Sequence, residues 1–149
     1  MNSEHLSIVL TDHDEVNRIF FKNICIDAKV PVKSLEFDNG KLLMEYLSTV
    51  AAVIPGILFM NYHLPGKDSL TYLNTIKSDP KFSELIVVIH SPGLTEEQIE
   101  EIYIRGGNVF LKLPDDYKVL KKLLLEIVGA SWQYHTSTLN IDTFMMRVE

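Results

Sequence analysis

Five short apolar runs, each followed by a stretch with helical spacing, constrain this chain more than anything else in it. Leu6 to Thr11, Val32 to Phe37, Ile57 to Met60, Leu85 to Ile89 and Val109 to Leu111 read as strands. The fourth is the most β-branched and reads as buried on both faces. The second alternates at period two, with one more exposed face. Helical patterns run from Asp14 to about Asp27, Lys41 to Ser48, Asp68 to Lys77, Thr95 to Arg105, and Asp115 to about Trp132. Val16, Ile19, Phe20 and Ile24 mark the expected inner face of the first helix, with Cys25 one turn beyond Phe21, in or beside the core. Leu120, Leu123, Leu124, Ile127 and Val128 mark that of the last, widened by Tyr117, Leu125, Trp132 and Tyr134. Punctuation agrees with these limits. Thr95 and Gln98 have capping-box spacing, Gly106-Gly107 suits a helix stop, and a residue before Pro80 avoids helical angles. Repeated β–α alternation implies a parallel sheet with helices on both faces.

In such sheets the site lies outside the carboxyl ends of the strands. Those ends bring together Asp12-His13-Asp14, Asn61-Tyr62-His63, His90-Ser91-Pro92 and Lys112-Leu113-Pro114. Asn61 is the most telling of them. A buried strand empties there into a Pro-Gly loop, and an amide stands where a carboxylate would be the useful nucleophile. The 149 residues fit one domain with a sizeable core. A net charge of −6 without a basic cluster argues against nucleic acid. No apolar run approaches the ~20 residues that span a bilayer. The polar start, Met1 to His5, does not resemble a signal peptide, so the cytoplasm is the expected location. Cys25 stands alone and forms no internal disulfide. Nothing after the fifth unit is long enough for a DNA-binding output module.

Two alternatives follow from the same strand ends. His13, His63 and His90 near Asp12 could bind a transition metal. Against that, His63 falls on a loop facing water, and His90 is expected to point away from the cleft. A nucleotide or flavin-type cofactor would need a glycine- or hydroxyl-rich loop. The chain has neither G-x-G-x-x-G nor a Walker lysine, and Asp12-His13-Asp14-Glu15 repels phosphate.

Taken in order, Thr11-Asp12-His13-Asp14-Glu15, Asp38-Asn39-Gly40, Phe59 to Leu70, Val87-Val88-Ile89-His90-Ser91 and Gly106 to Pro114 resemble the conserved blocks of response regulator receiver domains. Ile76 to Pro80 and Trp132 look most like the single-domain receivers that partner phytochrome-type histidine kinases. The resemblance implies a flavodoxin-like, doubly wound, five-stranded sheet of order 2-1-3-4-5. It divides the chain into a receiver-like domain over 1–130 and a C-terminal extension over 131–149. The implied role is two-component or phosphorelay signalling rather than enzymatic catalysis. Asn61 falls at the phospho-acceptor position, and a neutral amide cannot make an acyl phosphate. Asp12, with His13 in the place of the second acid and His63 nearby, marks a vestigial Mg2+ position, expected weak or empty. Leu113 replaces the family's lysine, since Lys112 falls on the opposite face. Ser91 and Phe110 match the switch hydroxyl and switch aromatic, and the Leu113–Pro114 bond is expected to be cis. The resemblance therefore implies a pseudo-receiver, without cofactor, acting by contact with a histidine kinase, another receiver or an output protein. Homodimerisation through the fourth helix, fifth strand, fifth helix and tail is a further expectation, with Ile102 and Ile104 on that face.

Overall fold

The alternation is realised as a doubly wound sheet. The computed structural model describes residues 5–49, 54–136 and 145–149. In chain order the elements are β1 (Leu6–Thr11), α1 (Glu15–Ile26), β2 (Val32–Phe37), α2 (Gly40–Thr49), β3 (Ile57–Asn61) and α3 (Ser69–Lys77). A 3-10 turn (Pro80–Phe82) leads to β4 (Ile86–Ser91), α4 (Glu96–Ile104), β5 (Val109–Lys112), α5 (Tyr117–Thr136) and β6 (Met146–Val148). The strand order is β2-β1-β3-β4-β5-β6, every neighbouring pair parallel.

The sheet separates two apolar layers. One face packs Leu6, Ile8, Leu10, Phe59 and Val88 against Phe21 and Ile24 of α1 and Leu124 and Ile127 of α5. The other packs Val9, Leu58, Met60, Val87 and Ile89 against α2, α3 and α4. Strands β3 and β4 are buried at every residue, as their unbroken apolar runs require. The edge strand β2 is exposed from Lys33 to Glu36.

Local chemistry sets the helix limits. Asp14 caps α1 by accepting from the Val16 N–H, and Asp68 caps α3 from the Leu70 N–H. The capping box at α4 is present, with Thr95 Oγ1 and Gln98 Oε1 each accepting from the other's backbone N–H. Beyond α4, Gly106 adopts φ +101°, its N–H donates to Tyr103 and the Gly107 N–H donates to Ile102. This is the Schellman closure that a glycine at that position allows.

Three expectations change. The sheet has six strands rather than five, because Met146-Arg147-Val148 adds beside β5 with Val148 buried. The segment is too short to carry a period-two pattern of its own. The rest of the tail, 137–144, lies outside the described residues, whereas α5 itself runs on to Thr136. Second, the inner face of α1 is Phe21, Ile24 and Cys25, while Val16, Ile19 and Phe20 are exposed. The helix is turned so that the Phe21/Cys25 i, i+4 pair meets the sheet, with Phe21 edge-on to Phe59, and Phe20 packs edge-on against Tyr117 of α5 instead. Third, the Leu113–Pro114 bond is trans, as is every peptide bond among the described residues. Trans is the lower-energy isomer of an X–Pro bond by about 0.5–1 kcal/mol.

Candidate functional site

The parallel register places three polar residues in one row across the central strands. Asn61 pairs with His90 across β3 and β4. Thr11 pairs with Met60 across β1 and β3, which sets Asp12, one residue on, beside Asn61. Residues i and i+2 of a strand share a face. Asp12, Asn61 and His90 therefore continue the α1/α5 side of the sheet begun by Leu10, Phe59 and Val88. All three are buried, Asp12 and His90 completely.

Their hydrogen bonds close on one another. Asp12 Oδ1 accepts from the Asp14 N–H at 2.9 Å and from Asn61 Nδ2 at 3.1 Å. Asp12 Oδ2 accepts from Asn17 Nδ2 at 3.0 Å and lies 2.8 Å from His90 Nε2. The carboxylate opposite places the ring proton on Nε2. His90 Nδ1 has no hydrogen-bond partner, and the ring lies 5.0 Å from that of Phe21, centroid to centroid. Asn61 Oδ1 accepts from the His63 N–H at 2.8 Å. Both ends of the amide are thus used, and its orientation is set by an acceptor on one side and a donor on the other. Burial pushes the Asp12 carboxyl up. The His90 hydrogen bond and charge, the Asp14 N–H and the Asn17 amide outweigh it and hold the group at about 2.

The remaining residues stand apart from this row. His13 is exposed, its Nδ1 3.8 Å from Asp12 Oδ1. The buried neighbour of Asp12 on β1 is Thr11, whose hydroxyl lacks a hydrogen-bond partner. His63 lies on the loop with its ring 4.9 Å from that of Tyr62. Ser91 is buried, and its hydroxyl donates to the Gly93 carbonyl and accepts from the Gly93 N–H, each at 3.2 Å. Phe110 is buried among the residues under α4, and its N–H donates to the Tyr103 hydroxyl. Leu113 packs against the α1/α5 layer, and Lys112 is exposed. Ile102 is core rather than surface, while Ile104 is exposed.

His90 is the correction that matters most: it points into the row and not away from it. A histidine in an otherwise apolar, doubly buried strand must find a polar partner. Asp12 is the acid that the strand register brings within reach; the signal in the sequence was the histidine itself, the lone ionisable residue in a β-branched run.

A divalent cation of the Mg2+ type wants about six oxygen ligands, carboxylates foremost. Among the described residues no group of three or more His, Cys, Asp or Glu side chains could hold a metal ion. Asp12, His13 and His63 are not gathered into such a set. The one carboxylate buried among the described residues, Asp12, already accepts from four donors, and the Asn61 carbonyl from a fifth. The residues present do not fit a divalent cation. No helix among the described residues is long and apolar enough to cross a membrane.

No protein-family model and no curated protein matches this sequence. Solved structures do match. The phosphorylated cyanobacterial phytochrome response regulator RcpA superimposes with a TM-score of 0.78 at 23% identity, over 91% of this chain and 97% of that one. The Mn2+-bound response regulator Rcp1 gives 0.77 at 20% identity, over 91% and 99%. The chemotaxis response regulator CheY4 of Vibrio cholerae gives 0.69 at 11% identity, over 85% and 98%. The chain has the CheY-like receiver fold.

Proposed function

We propose that this chain is a receiver-fold signalling module that takes no phosphate at position 61 and acts by protein contact. The observation that carries the reading is the Asn61 amide, hydrogen-bonded on both sides and lacking an anionic oxygen to attack phosphorus. The absence of a fitting Mg2+ site supports it, because phosphoryl transfer relies on the cation to neutralise developing charge. The likeness to RcpA and Rcp1 favours a histidine kinase or its downstream protein as partner. Exposed Val16, Ile19 and Phe20 on α1, continued by Tyr117 on α5, form an apolar stripe suited to such a contact. Self-association through α4, β5 and α5 is a second contact to test, with β6 now part of that face.

The test is incubation of the protein with a small acyl phosphate and Mg2+, followed by intact-mass measurement. No phosphate adduct is expected. A phosphate mapped to Asn61 or its neighbours overturns the reading. In a pull-down with candidate kinases and receivers, Phe20→Glu should abolish capture while leaving the fold intact.

A further inference from the structure

Asn61 accounts for the missing nucleophile and for one missing carboxylate ligand, but not for why the carboxylate that remains, Asp12, is withheld from a cation. Asp12 keeps its carboxylate, and a lone buried carboxylate ordinarily demands a counter-charge. The partner it has is on the protein side of the pocket. His90 reaches it at 2.8 Å from two strands away, from beneath Phe21, and both groups are completely buried. Asn17 takes the other bond to the same oxygen but is only half-buried, on the surface turn of α1, where solvent can replace it. Asp14 contributes a backbone N–H that comes with the helix cap. Asn61 and His90 are the two wholly internal side-chain donors, and only His90 would survive an exchange of amide for carboxylate at position 61.

We propose that His90 is the residue that excludes a divalent cation from this pocket, by holding Asp12 through its Nε2–H in the place where an ion would draw the carboxylate. The inference rests on the receiver reading for the position of the pocket, but it concerns the metal and not phosphate. It implies that Asn61→Asp alone, although it supplies a second carboxylate, does not restore a cation site. His90 here is a positioning residue. It acts through the carboxylate it holds.

The experiment is a Mn2+ titration of the full chain, 15N-labelled, followed by paramagnetic broadening of the backbone amides. Wild type, Asn61→Asp, Asn61→Asp/His90→Leu and Asn61→Asp/His90→Gln are compared. Saturable broadening centred on residues 12 and 61 is expected for the leucine double variant, with affinity roughly tenfold or more above that of Asn61→Asp alone, because the ion no longer has to break the hydrogen bond from His90. The glutamine variant, whose side-chain amide can replace the Nε2–H donor, should return to the weak binding of Asn61→Asp. A merely structural role for the ring would not produce that rescue. Equal affinity for Asn61→Asp and the leucine double variant overturns the proposal. If the leucine variant does not fold, the wild type carries the test. Its His90 ring must show a slowly exchanging Nε2–H that millimolar Mn2+ leaves sharp, and an Nε2 without a proton or a broadened ring overturns the proposal. Mn2+ bound by Asn61→Asp as tightly as by the leucine double variant removes this inference and leaves the phosphate-free reading standing. A phosphate on the wild type does the reverse.

Discussion

The pocket floor and the β5 edge are both closed by this chain's own groups, but in opposite ways. At the floor, closure comes from a single imidazole and an amide on a carboxylate, out of contact with solvent. At the edge it comes from the three-residue strand β6, held by the Tyr103 hydroxyl on the Met146 carbonyl and by Arg147 between Glu96 and Glu149. Buried polar groups are costly to leave unpaired, whereas surface pairs contribute little. The floor should therefore be hard to open and the edge easy. What separates the two closures is burial: Asp12 and His90 are out of reach of water, whereas Arg147, Glu96 and Glu149 are not.

The largest effect expected is for Asp12→Ala. It strands the Asn61, Asn17 and His90 donors together and should cost about 3–5 kcal/mol in denaturant unfolding. A loss below 1 kcal/mol would place the floor in the same class as the edge. Next is Asn61→Asp, which sets a second carboxylate where the Asn61 amide now lies 3.1 Å from Asp12 Oδ1. The cost should be about 1–3 kcal/mol at neutral pH. It should shrink as pH falls, because protonating one carboxyl relieves the repulsion.

The wild type should show the opposite slope. Asp12 is held at about 2, below its ordinary 3.8, so its contribution is complete above pH 4 and is lost as pH falls from about 4 to about 2. The loss is roughly 2 kcal/mol. Unfolding midpoints measured from pH 5 to pH 2 check the sign, and Asp12→Asn should flatten the curve. The smallest effect belongs to the edge. Tyr103→Phe removes the hydrogen bonds to the Met146 carbonyl and from the Phe110 N–H and should cost about 1 kcal/mol, seen first as faster amide exchange at Phe110, Met146 and Val148.

Much of this was legible because short-range rules spell it out. Leu85 to Ile89 could hardly be anything but an internal strand, Thr95 and Gln98 announced the start of α4, and Gly106-Gly107 its end. The burial of Asn61 could be read because it ends an unbroken apolar strand. What stayed hidden depends on partners far apart in sequence. His90 and Asp12 are 78 residues apart, and only the strand register brings them together. The direction of α1 was misread because Val16, Ile19 and Phe20 make as good a helical stripe as Phe21, Ile24 and Cys25. Which stripe turns inward is decided by what the sheet offers it. β6 was hidden by brevity.

That brevity leaves the two borders of the sheet unequal. Among the described residues, the last row of amides and carbonyls on one side is only three residues long and carries Arg147, a guanidinium that a neighbouring strand would have to desolvate. On the other, β2 presents six residues with Leu35 uncovered. Under stress, filament growth between copies would start from β2, and a lysine in place of Leu35 is where a soluble variant would begin.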